Sequence, residues 1–147
     1  MQLWDVNLLL YASIPQSGNF ERCRPMLQRL VDGDEHFAVS ELILAAFVRI
    51  ATNPRVFDPP AATNAAFEVC RALREHPVSV SVAPGRRHWE IFEDLVVTTG
   101  IRGSDTTEAY LAALAMEHGC EFWSADAGFA RFPGLRWHHP LTGERTG

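Results

Sequence analysis

Met1-Gln2-Leu3-Trp4-Asp5-Val6-Asn7-Leu8-Leu9-Leu10-Tyr11-Ala12 decides the fold. A short apolar run carries Asp5 to a turn, and an apolar helix through Leu8, Leu9, Leu10 and Tyr11 begins at once. An acid placed between a strand and a helix is, on its own, a helix cap or an Asx turn. Asp5 gains a second reading only from the acids that follow other strands. No basic segment with a separate apolar run stands before it, so no secretory leader is expected.

Working outward, Pro15 to Asn19 break the first helix. A second runs from about Asn19 to Val31, with Phe20, Cys23, Met26, Leu27 and Leu30 on one face. Asp32-Gly33-Asp34 closes it, with a left-handed conformation expected at the glycine. His36 to Val39 reads as a strand. Ser40-Glu41 then opens a helix to Asn53 that is apolar nearly all round, so it belongs in the core or against a partner chain. Further helices are expected at 61–75, 86–99 and 106–118. Strands are expected at Val78 to Val82, Glu121 to Ser124 and Leu135 to His138. Strands alternating with helices point to a three-layer α/β/α domain with a central parallel sheet. A single domain is expected over 1–140, with a frayed tail at 141–147.

The 147 residues are 47% hydrophobic and 21% charged, an ordinary globular balance. No apolar run approaches the length of about 20 residues that a membrane span needs. The three cysteines, Cys23, Cys70 and Cys120, are odd in number and scattered. They suit a reduced, cytoplasmic protein better than a disulfide framework or a zinc site. A net charge of −5 argues against a broad nucleic-acid surface, though not a local one. All 13 basic residues are arginine, so any anion contact uses a guanidinium fork.

Asp5, Glu41 and Asp126 each follow an expected strand, and the carboxyl ends of parallel strands share the edge where ligands bind. Each also has a structural reading: Glu41 favours a helix start, and Asp126 caps the turn at Ala127-Gly128. Ser104-Asp105-Thr106-Thr107-Glu108 supplies another acid. Asp105 and Glu108 have the spacing of a capping box, and the same spacing puts both on one helix face. Carboxylates gathered at one place repel one another unless a cation joins them. Oxygen donors without a histidine or cysteine pattern favour Mg²⁺ or Mn²⁺ over zinc, and such a site suits phosphodiester hydrolysis. Arg49 reads equally as an ion-pair partner or a phosphate contact, and Ser124 as a hydrogen-bond partner of an acid or a strand end. His138-His139 reads as a solvated strand end, while Trp4, Tyr11 and Trp123 read as core.

With these residues in place the sequence resembles the PIN-domain ribonucleases, specifically VapC-type toxins of toxin–antitoxin pairs. The resemblance rests on Asp5-Val-Asn7-Leu-Leu-Leu-Tyr-Ala, Ser40-Glu41-Leu with Arg49, and Thr52-Asn-Pro-Arg-Val-Phe57. It continues in Glu108-Ala-Tyr-Leu-Ala-Ala-Leu-Ala, Ser124-Ala-Asp126 and Phe129-Ala-Arg-Phe-Pro-Gly-Leu-Arg-Trp137. It implies acid roles for Asp5, Glu41, Glu108 and Asp126, with Asp5 and Glu108 on the metal and Asn7, Arg49, Asp105 and Ser124 in support. Two departures stand out: Glu108 replaces the family's usual Asp, and Gly128 stands where a further acid is often found. The resemblance further implies Mg²⁺-dependent cleavage of RNA (Mn²⁺ as the alternative), a homodimer, and a VapB-like antitoxin whose tail lies in the acidic groove. The alternative is a catalytically weak PIN module that binds RNA or protein. A phosphatase or nucleotide-binding domain lacks support, with no glycine-rich phosphate loop after the first strand and no Gly-x-Ser-x-Gly.

Overall fold

Five parallel strands form one sheet in the computed structural model, which describes residues Met1–Gly147. They are β1 (Gln2–Trp4), β2 (Phe37–Val39), β3 (Ser79–Ser81), β4 (Glu121–Trp123) and β5 (Trp137–His138), in the order β3-β2-β1-β4-β5. Leu3 stands opposite Ala38 on one side and Phe122 on the other. The inner strands are covered on both faces, so Leu3, Trp4, Phe37, Ala38, Val39 and Phe122 are all buried. This is why those strands read as continuous apolar runs. The alternating Val78–Val82 segment forms the edge strand β3.

Four helices, α1 (Val6–Ser13), α2 (Phe20–Asp32), α3 (Glu41–Ala51) and α4 (Thr63–Arg74), fill the crossovers from β1 through β2 to β3. Helices α5 (His88–Thr99) and α6 (Thr106–Glu117) lead back to β4. Helix α1 packs on α2 and α3, α3 packs on α4, and α5 packs on α6. Right-handed crossovers in opposite directions from β1 place these two groups on opposite faces, giving three layers. Helix α6 approaches closely because Ala109, Ala112, Ala113 and Ala115 are fully buried on it. The chain therefore reverses direction at β1, and a crevice opens between the carboxyl ends of β1 and β4.

Four local features differ from expectation. Gly33 has φ −80° and ψ 169°, an extended rather than left-handed terminus, because the chain goes straight on towards β2. Helix α3 buries Ile43, Leu44, Phe47 and Ala51 in its own domain, leaving Leu42, Ala45 and Arg49 outward. His138 and His139 are buried, not solvated, with His138 edge-on to Trp123 at 4.3 Å between ring centres. The segment after Pro140 is held to the domain: His139 N–H donates to Glu144 O (2.8 Å) and Thr146 N–H to Trp137 O (2.9 Å). Cys23, Cys70 and Cys120 are free and buried. No helix is long and apolar enough to cross a membrane.

An acidic crevice at the carboxyl edge of the sheet

The sheet register delivers the first acid. Trp4 pairs with Trp123, and one residue further Asp5 N–H donates to Trp123 O at 2.8 Å. Asp5 and Ser124 therefore end neighbouring strands side by side. Asp5 is 5% exposed, and its two carboxylate oxygens are engaged separately. Oδ1 accepts from Val6 N–H at 2.7 Å, capping α1. Oδ2 accepts from Ser124 Oγ at 2.6 Å and Asn7 Nδ2 at 2.9 Å. Asn7 Nδ2 also reaches Ser124 Oγ (3.1 Å), while its Oδ1 accepts from Ala125 N–H (3.2 Å). Asn7 thus ties the start of α1 to the loop after β4, and Asp5 both caps a helix and anchors this network.

Ser124 Oγ accepts from Asp126 N–H at 3.1 Å, which positions the next acid. Asp126 Oδ1 accepts from Gly128 N–H at 2.8 Å and starts a 3₁₀ turn over Ala127–Arg131. Glu108, in the first turn of α6, approaches from the other side. A β-carbon built on Gly128 would lie 3.0 Å from Asp126 Oδ1 and 3.2 Å from Glu108 Oε2. Position 128 therefore faces the acids, and its missing side chain leaves room for the longer Glu108. The two departures from the family pattern fit together in space.

The capping box is not formed. Asp105 makes no side-chain hydrogen bond to the start of α6. Both acids of that motif turn instead to Arg131, at the end of the 3₁₀ turn: Nη2 lies 2.5 Å from Glu108 Oε2 and Nη1 3.5 Å from Asp105 Oδ2. Sequence reasoning missed Arg131 as a site residue. The available signal was two acids placed on one helix face.

Asp5, Glu108 and Asp126 are brought together, and Glu41 is not. Glu41 stands at the same edge after β2, but its carboxylate pairs with Arg74 of α4 at 2.9 Å, with side chains 73% and 57% exposed. The acids of the crevice offer Glu41 only repulsion, whereas Arg74 offers an opposite charge. Arg49 makes no ion pair and shares with Asp5 a groove of about 280 Å³, lined also by Leu42, Ala46, Thr107 and Leu111. Arg49 thus has no acid partner, while its place in the last turn of α3 fits the structural reading of a cation at a helix terminus. With Glu108 on Arg131 and Glu41 on Arg74, no three acids, histidines or cysteines stand arranged to hold a metal ion.

Electrostatics mark the crevice as short of positive charge. Burial pushes Asp5 up to about 6, against the hydrogen bonds from Ser124 and Val6, and the charges of Asp126 and Glu108 push it the same way. Glu108 is also raised, first by burial and then by Asp126, while Arg131 acts in the opposite direction. Carboxylates held above their ordinary range by burial and mutual repulsion are donors that a cation stabilises. The donors are all oxygen, the chemistry of a hard divalent ion.

Fold and crevice together define a PIN-like α/β domain with carboxylates gathered beside its central strand. No family model matches the sequence. Ribonuclease VapC43 of Mycobacterium tuberculosis is 40% identical over 140 residues, spanning 95% of each chain. Ribonuclease VapC25 of the same organism is 36% identical over 140 residues, 95% of this chain and 99% of the relative. The chain belongs to the VapC ribonuclease family. Among solved structures, VapBC2 from Rickettsia felis bound to a DNA fragment from its promoter has a TM-score of 0.64 at 12% identity, covering 92% of this chain and 95% of that one. FitAcB from Neisseria gonorrhoeae has a TM-score of 0.60 at 17% identity, covering 96% and 99%. These two likenesses carry the fold alone.

Proposed function

We propose that this chain is an endoribonuclease toxin that hydrolyses RNA phosphodiester bonds with a divalent cation, Mg²⁺ or Mn²⁺, and is neutralised by a VapB-like antitoxin. One observation carries the reading: Asp5, Glu108 and Asp126, from three separate segments, meet in the crevice beside the central strand, with Asp5 buried and unpaired. The names of its relatives supply the substrate class. A bound cation would supply Lewis-acid activation of water and neutralise the charge that grows on the phosphate. Asp5, Glu108 and Asp126 would hold it, while Ser124 and Asn7 keep Asp5 in place through their hydrogen bonds.

Glu41 retains an acid role in this reading. An exposed ion pair such as Glu41–Arg74 contributes at most about 1 kcal/mol, so the carboxylate is readily released towards the crevice. Arg49, unpaired and beside Asp5, is assigned to an RNA phosphate. The antitoxin's basic tail is assigned to the crevice of Asp5, Glu108 and Asp126, beside the mainly apolar groove between α3 and α6. The functional unit is a homodimer, on family grounds, located in the cytoplasm.

The test is cleavage of structured RNA with Mg²⁺, with Mn²⁺ and with chelator. Wild-type protein should cleave only with metal, and Asp5→Asn and Glu108→Gln should each lose activity by orders of magnitude. Metal-independent cleavage, or full activity in both variants, would overturn the reading. Sedimentation at micromolar concentration should give a dimer, and a monomer would remove that part.

A further inference from the structure

Arg131 has no part in the reading above, yet its guanidinium pairs with two acids at the crevice, Glu108 and Asp105. It sits on Glu108 at 2.5 Å and on Asp105 at 3.5 Å. Its position comes from the 3₁₀ turn that Asp126 begins, so one short turn has an acid of the crevice at one end and this arginine at the other. The Arg131 guanidinium carbon also lies 5.3 Å from the centre of the Phe132 ring, which supports it from behind. Glu108 Oε2, the atom Arg131 holds, is the atom that faces Asp126 across Gly128.

We propose that Arg131 is an internal counter-cation that competes with the divalent ion for Glu108 and so sets the metal affinity of the site. It rests on the metal-dependent reading above. Without metal, Arg131 offsets the repulsion between Glu108 and its neighbours and keeps the crevice closed on itself. When a divalent ion binds, Glu108 turns from Arg131 towards Asp5 and Asp126, and the guanidinium is released at the rim of the crevice. Arg131 is a positioning residue here: it acts through the placement of Glu108.

Calorimetric titration with MnCl₂ at pH 8 tests the competition on the full chain. Arg131→Gln should bind Mn²⁺ roughly five-fold more tightly than wild type, the scale of a partly exposed ion pair. Arg131→Lys should fall between, since a point charge cannot span Asp105 and Glu108 together. Arg86→Gln, an exposed site elsewhere, should match wild type. In the wild-type chain, phenylglyoxal should modify Arg131 faster with Mn²⁺ than with chelator. Equal or weaker binding by Arg131→Gln overturns the proposal. Should that variant not fold, equal or weaker binding by Arg131→Lys overturns it, as does modification of Arg131 that metal does not change. If neither wild type nor Arg131→Gln binds Mn²⁺, the metal-dependent reading fails; if wild type binds and Arg131→Gln is no tighter, only the role of Arg131 does.

Discussion

Asp5 concentrates the cost of the site in one side chain. Its carboxyl titrates at about 6 in the fold, against an ordinary 3.8, because burial disfavours the charge. The folded chain therefore holds its proton more tightly than the unfolded chain does, and stability falls as pH rises. The sign is the reverse of a salt-bridged aspartate: the contribution is fully present below about pH 4 and lost by about pH 6. A two-unit shift corresponds to about 3 kcal/mol. Thermal melts in chelator from pH 4 to 8 should show this fall, and Asp5→Asn should flatten it. Added Mg²⁺ should raise the melting temperature most above pH 6, where the carboxylate is free of its proton. At this scale the identities of the acids were legible, because Asp5, Glu41 and Asp126 each follow a strand and Glu108 stands at a helix start. Their partners were not: whether Glu41 faces Asp126 or Arg74 depends on where α4 ends, and no local pattern carries that.

At the level of elements, the junction of α6 with the turn over Ala127–Arg131 decides between the two readings of Asp105 and Glu108, against the capping box. Asp105 and Glu108 have the right spacing, but a box forms only if the side chains turn back onto their own helix. The turn after β4 instead brings Arg131 to them, and the Thr106 hydroxyl donates to Gly103 O at 2.7 Å. The helices themselves were legible from apolar spacing, and α6 runs over Thr106–Glu117 as expected. Gly128→Ala tests how closely turn and helix are matched. Its backbone has no positive φ, so alanine brings no conformational strain. The added carbon would press on Asp126 Oδ1 at 3.0 Å and Glu108 Oε2 at 3.2 Å. Metal binding and RNA cleavage should both weaken, while the melting temperature in chelator moves little. A Gly128→Ala chain with unchanged Mn²⁺ affinity would show that Glu108 needs no such room.

On the scale of the whole molecule, the alternation of strands and helices made the layered α/β class legible, and the resemblance added the acidic edge. Strand order was not legible, since β1 meets β4 only after more than a hundred intervening residues, nor was the return of the chain after Pro140. That return rests on backbone bonds from Glu144 and Thr146 rather than on an apolar pattern. It also bears on whether 1–140 behaves as one unit. Three thiols give the means to ask: Cys23 lies on α2, Cys70 on α4, and Cys120 at the entry to β4, all buried. Burial raises the pKa of each, so both access and thiolate fraction are low in the folded state. In a single cooperative domain all three become reactive only by global opening. With ordinary domain stability, alkylation should be slowed at least about 10³-fold relative to the unfolded chain. The three sites, resolved by mass spectrometry, should label at one common rate and share one denaturant dependence. Faster labelling at Cys120 alone would show that the β4–β5 half opens independently and carries Ser124 and Asp126 out of the crevice while Asp5 remains in place.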